Sequence, residues 1–111
     1  MKLIKKAETN HLLPALSKVS GYTEHELTTK RTRLIVPWVK LGMYLARKEG
    51  RTFQESADLF GRHFSSSFNS IKEIEQELDE YQLSIDEVLA VKEDLKMEAI
   101  LQKQKETKND K

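Results

Sequence analysis

The chain has 111 residues, 33% charged and 38% hydrophobic, which suits one globular domain with a modest core. No run approaches the ~20 apolar residues of a membrane span, and the start, MKLIKKAETN, lacks the apolar centre of a secretory signal. The absence of cysteine excludes disulfides, thiolate catalysis and cysteine-based zinc sites, and it agrees with a cytoplasmic location, which is the expectation.

The net charge is only +1, yet the charges are segregated. Residues 28–63 hold eight Lys or Arg against three Asp or Glu, whereas residues 64–111 hold seven Lys against twelve acids. Such asymmetry points to a basic face for a polyanion and an acidic region kept away from it. Plain solvation of a helical surface is the blander explanation.

In chain order, residues 2–19 read as helical, with Leu3, Ile4, Ala7, Leu12, Leu13, Leu16 and Val19 apolar. Pro14 breaks that run, and a second helix is expected to begin near Leu13. Ser20-Gly21 ends it. Thr23 and Glu26 have the spacing of a capping box and open a short helical turn through Leu27. Residues 28–33, TTKRTR, form a basic loop with no apolar anchor. A helix over 36–49 follows, with Pro37 in its first turn and Arg47 and Lys48 in its last. Gly50 is its stop. Gly42 inside it costs about 1 kcal/mol relative to alanine, a cost that close packing would offset. Trp38 is open to three readings: a buried anchor, a surface residue near phosphate, or a partner contact.

Thr52 and Glu55 form a second capping box, starting a short helix with Phe53, Ala57 and Phe60 on its apolar side. Gly61 ends it, because a tight interhelical turn favours positive φ. Phe64, Phe68, Ile71, Ile74 and Leu78 then recur as one apolar stripe on a longer helix. The stripe predicts burial of Phe64 and Phe68 against Phe53, Phe60 and Met43. Ser65, Ser66, Asn69 and Lys72 point away from it. A short helix, a glycine turn and a longer helix is the pattern of a helix-turn-helix reader of the major groove, although any small helical domain can contain such a pair. Further on, Ser84 and Glu87 make a third capping box. Ile85, Val88, Leu89, Val91 and Leu95 continue from it as a stripe too irregular for a long coiled coil. The polar end, QKQKETKNDK, is expected to fray.

Nothing in the sequence points to catalysis. His11, His25 and His63 have no metal-ligand spacing. The run Glu73, Glu75, Glu77, Asp79 and Glu80 is explained by a solvated helix face. Ser65-Ser66-Ser67 reads as ordinary capping hydroxyls with no histidine base assigned to them.

From Leu27 to Glu75 the chain resembles the C-terminal DNA-binding domain of the bacterial replication initiator DnaA. The residues carrying the resemblance are TEHEL (23–27), KRTRLIV (30–36), MYLAR (43–47), LFGR (59–62), the serine-rich helix start and EIEQ (73–76). Related modules occur beside some transposases. The resemblance implies that Arg31 and Arg33 enter the minor groove, Lys30 touches phosphate, and Arg62, Ser65 and Ser66 stand at the front of the reading helix. There are departures. The family's turn has one more glycine, His63 and Phe64 stand where it has aspartate and histidine, Ser65 and Ser66 replace threonines, and Val39 replaces an arginine. The lost threonine methyls predict weaker selectivity for thymine. No phosphate-binding G-x-x-x-x-G-K-[ST] loop occurs, so the ATP switch of the initiator is not expected.

The expectation is an all-α fold: a DnaA-like helix-turn-helix domain over 1–82, a C-terminal helix over 83–105 that docks or dimerises, and a frayed tail over 106–111. The expected DNA-binding residues are Lys30, Arg31, Arg33, Lys40, Arg62, His63, Ser65, Ser66, Asn69 and Lys72. The expected partner is double-stranded DNA, for a replication- or mobile-element-associated accessory or regulator. Self-association or a protein partner through the C-terminal helix is the further expectation. No catalytic residue, metal, cofactor, small-molecule substrate or membrane is expected. The alternative is a protein-interaction module that keeps the fold without base readout.

Overall fold

A computed structural model describes residues 11–109, with side chains described through Gln102. The expected helical segment with Leu3, Ile4 and Ala7 lies outside the described residues. Among those described the chain is all-α, with six helices: α1 (Leu12–Ser20), α2 (Glu24–Thr29), α3 (Val36–Lys48), α4 (Phe53–Leu59), α5 (Phe64–Gln76) and α6 (Leu78–Asn109). None is long and apolar enough to cross a membrane.

Local signals set most of the boundaries. Pro14 is the third residue of α1, within the first turn, where a missing N–H costs nothing. Thr23 and Thr52 each accept a hydrogen bond from the backbone N–H three residues on, and Glu26 and Glu55 bond back, completing both capping boxes. α2 runs two residues beyond the expected Leu27. Pro37 lies in the first turn of α3, and Gly50, with φ of +101°, follows its end.

The core is built on α3, which packs most closely on α5 and also meets α1 and α4, while α6 lies chiefly along α1. Leu12, Leu16, Leu27, Val39, Met43, Phe60, Ile74 and Val88 are fully or almost fully buried. Gly42 is the keystone of the α1–α3 contact. A Cβ there would stand 2.3 Å from Phe60 Cζ and 2.7 Å from Leu16 Cδ2. The glycine lets the Phe60 ring reach the helix backbone, so its propensity cost is offset by packing.

Three expectations are corrected. Phe64 and Phe68 are 43% and 41% exposed rather than buried. The arc of α5 turned to the core carries Ser67, Ser70, Ile71 and Ile74 instead, rotated by roughly 55° from the sequence stripe on a 3.6-residue wheel. Small serines let the helix backbones approach; phenylalanines at those positions would hold them apart. Second, the stripe does not continue to Leu78 on one helix. Glu77, with φ −119° and ψ 36°, closes α5, and Leu78 begins α6. Third, Ser84 caps nothing. It sits inside α6, spanned by the hydrogen bond from Gln82 Nε2 to Asp86 Oδ1 at 2.9 Å. Leu78 and Tyr81 already pack on the core upstream of it, so the helix starts earlier than the capping pattern implies. The helical backbone crosses residues 82–83 and continues to Asn109, into the segment expected to fray.

Candidate nucleic-acid interface

The start of the basic loop is tied to a side chain 32 residues from Lys30. Arg62 follows Gly61 in the turn between α4 and α5. Its Nη2 donates to the Lys30 carbonyl at 2.7 Å, and its Nη1 donates to the carbonyls of Phe60 at 3.0 Å and Thr28 at 3.4 Å. Arg31 reciprocates, its Nη2 donating to the Gly61 carbonyl at 3.4 Å. Gly61 makes this possible twice over. Its φ is +64°, and a Cβ on it would come 2.7 Å from the Thr28 carbonyl oxygen. The loop is thus anchored in the core by Ile35 at its end and tied by guanidinium-to-carbonyl hydrogen bonds nearer its start.

The two guanidiniums are neighbours. Arg62 is held below the usual guanidinium value by burial and then by the positive charge of Arg31. They line one shallow cleft with Lys40, Ser66 and Ser70, over a floor that includes Met43. Lys40 is already neutralised: its Nζ donates to both carboxylate oxygens of Glu73, at 3.0 and 2.9 Å. Among the described residues no carboxylate pairs with Arg31 or Arg62.

Helix α5 begins beside this cleft. Its N-cap is His63, whose Nδ1 accepts the Ser65 N–H at 3.2 Å. The imidazole therefore does the capping expected of the serine hydroxyls, leaving Ser65 and Ser66 exposed at the helix front. Asn69 is exposed one turn later, and Lys72 one turn beyond that, its Nζ 5.5 Å from the Phe68 ring centroid.

Of the ten expected site residues, Arg31, Lys40, Arg62 and Ser66 thus share the cleft. Lys30 and Arg33 are exposed in the loop, Ser65, Asn69 and Lys72 on the outer face of α5, and His63 is a cap. Two features escape sequence reasoning. Leu34, next to Arg33, is 72% exposed, whereas Ile35 is buried; nothing in the pair LI distinguishes them. Phe53, Phe64 and Phe68 form an aromatic group at the surface, with ring centroids 6.1 Å (53–64) and 5.3 Å (53–68) apart, edge to face.

The arrangement defines an all-helical module with a cationic cleft at the front of an exposed helix. No protein-family model, curated protein or solved structure matches the chain.

Proposed function

We propose that the chain binds double-stranded DNA. In this reading α4, the Gly61 turn and α5 act as a helix-turn-helix of the kind the sequence resembles in the DnaA C-terminal domain. Ser65, Ser66 and Asn69 meet base edges or phosphates in the major groove, and the loop carries Arg31 and Arg33 to the adjoining minor groove. The observation that carries the proposal is the Arg31–Arg62 pair. Two like charges held together by backbone carbonyls, one of them partly desolvated, with no described carboxylate to balance them, form a site for an anion such as a backbone phosphate. The process served is that of a replication- or mobile-element-associated accessory or regulator, and no catalytic step or cofactor enters it.

The test is duplex binding measured against salt. Affinity for random DNA falls steeply with salt concentration, and Arg31→Ala lowers the log–log slope by about one. A flat salt dependence overturns the proposal. In a selected pool, Asn69→Ala relaxes preference at one position by about 1–3 kcal/mol. Arg33→Ala weakens every site, most at A/T-rich flanks where the narrow groove is most negative. The second reading, a protein-interaction module, draws on the exposed Phe64 and Phe68. A pool that returns no enriched sequence favours it.

A further inference from the structure

Leu34 and Leu83 are the most exposed leucines among the described residues, at 72% and 74%, but their settings differ. Leu83 lies on α6 with Asp79, Glu80, Asp86 and Glu87 three and four residues away, and it is an ordinary surface leucine. Leu34 stands at the tip of a turn. The Thr32 carbonyl accepts the N–H groups of Ile35 at 3.2 Å and Val36 at 3.0 Å, and Thr32 Oγ1 accepts the Ile35 N–H at 3.4 Å. Arg33 and Leu34 are therefore the two middle residues of a closed turn. Ile35, buried, fixes the far end of that turn and leads directly into α3. On the near side Arg62 holds the Lys30 carbonyl, and Arg31 reaches the Gly61 carbonyl. Leu34 is thus held outward on ordered backbone. The sequence around it is cationic: from Leu27 to Lys48 there is no acidic residue, and Lys30, Arg31 and Arg33 are exposed. Among the described residues no carboxylate pairs with any of these three or with Arg62.

We infer that Leu34 is a wedge that enters the minor groove between two base pairs and kinks the duplex. The inference rests on the DNA reading above and deepens it, naming a residue that reads deformability instead of base edges. An apolar side chain presented among unpaired cations fits a surface that is anionic at its edges and apolar within. A duplex is such a surface, with phosphates along the groove and stacked base faces beneath it. An inserted apolar side chain partly unstacks one step and bends the duplex toward the major groove by about 20–90°. Unstacking costs least at the pyrimidine–purine steps TA and CA/TG. Leu34 therefore confers a preference for such a step without a hydrogen bond to any base. Arg33, beside it in the turn, meets the negative potential of the same groove. A lipid surface fits less well, because one leucine on a turn offers far less apolar area than the helix faces that dock on membranes. The contribution of Leu34 is also separable from that of the arginines. It carries no charge, so it changes affinity without changing the dependence on salt.

The experiment uses the full chain and a short duplex whose one pyrimidine–purine step is a central TA, with 2-aminopurine in place of that adenine. The fluorescence of this base rises when it is unstacked. Wild type raises the fluorescence on binding. Leu34→Ala loses most of the rise and binds about tenfold more weakly, with an unchanged salt slope. Leu34→Met, which keeps an apolar side chain of similar size, retains the rise. Leu83→Ala, matched in exposure, behaves as wild type. Circular dichroism checks that each variant folds. A wild type that binds with a steep salt dependence but leaves the fluorescence unchanged overturns the inference while the DNA reading stands. So does a Leu34→Ala variant that matches wild type in both readouts. A flat salt dependence for wild type removes the DNA reading and this inference with it. The last arm replaces the duplex with vesicles of phosphatidylserine and phosphatidylcholine. If Leu34→Ala weakens vesicle binding and leaves duplex binding intact, Leu34 belongs to a lipid contact and the wedge is overturned.

Discussion

The arc of α5 turned to the core carries Ser67, Ser70, Ile71 and Ile74, all buried, while the flank beside Phe53 carries Phe64 and Phe68, both at the surface. Hydropathy ranks these two sides in the opposite order. The difference shows that distance between helix axes, and not side-chain bulk, decides which face is inside. Where α5 closes on its neighbours only small residues and the two isoleucines fit, and the phenylalanines are displaced to a rim where they pack on one another.

The sharpest way to break this comparison is to remove one aromatic ring from each side of the boundary. Phe60 is wholly buried. Phe60→Ala is expected to cost about 3–5 kcal/mol in chemical denaturation. Phe68→Ala gives up mainly its edge-to-face contact and is expected to cost about 1 kcal/mol. Equal costs would mean that the exposed and buried faces have been assigned the wrong way round.

Gly42→Ala tests the closeness of packing itself. The added methyl collides with Phe60 and Leu16. Overpacking costs typically 1–3 kcal/mol, and the gain in helix propensity returns about 1. A net loss of up to about 2 kcal/mol in a thermal melt is expected, together with a shift in the near-ultraviolet signal of the aromatic rings. A stabilised variant would show that α1 and α3 have room between them.

The smallest effect has the opposite sign. Ser67 Oγ is buried and has no hydrogen-bond partner among the described residues. Ser67→Ala removes an unsatisfied hydroxyl and improves helix propensity, so a gain of about 0.5–1 kcal/mol is expected by urea titration. A loss would mean that the hydroxyl is bonded in solution.

The parts of the fold legible in the sequence are those whose physics is local. The capping boxes at Thr23 and Thr52, the positive φ of Gly61 and the place of Pro37 each depend on residues within one turn. The all-α architecture follows from their sum. Ser84 shows the limit of the same logic. Its capping pattern is intact, yet burial of Leu78, Tyr81, Ile85 and Val88 along one face draws the helix through it. In the candidate site the exposed charges of Lys30, Arg31 and Arg33 were readable as a basic loop. The partners were not. Lys40 meets Glu73 and Arg62 meets Lys30 across more than thirty residues, and no periodicity records such pairs. The sequence therefore identified cations without showing that Lys40 is neutralised and Arg62 is a strut.

Arg62 as a strut has a consequence for the timing of any encounter. The polar part of the loop, Lys30 to Arg33, left free would be ordered only on meeting a partner, and each residue so fixed costs roughly 1–2 kcal/mol of backbone entropy. Here one guanidinium joins the carbonyl of Lys30 in the loop to those of Thr28 at the end of α2 and Phe60 in the interhelical turn. Those contacts form with the fold, so a ligand meeting the loop is expected to find its start already ordered. The loop and the interhelical turn are therefore expected to open together in hydrogen exchange, as one unit joined by the two guanidiniums.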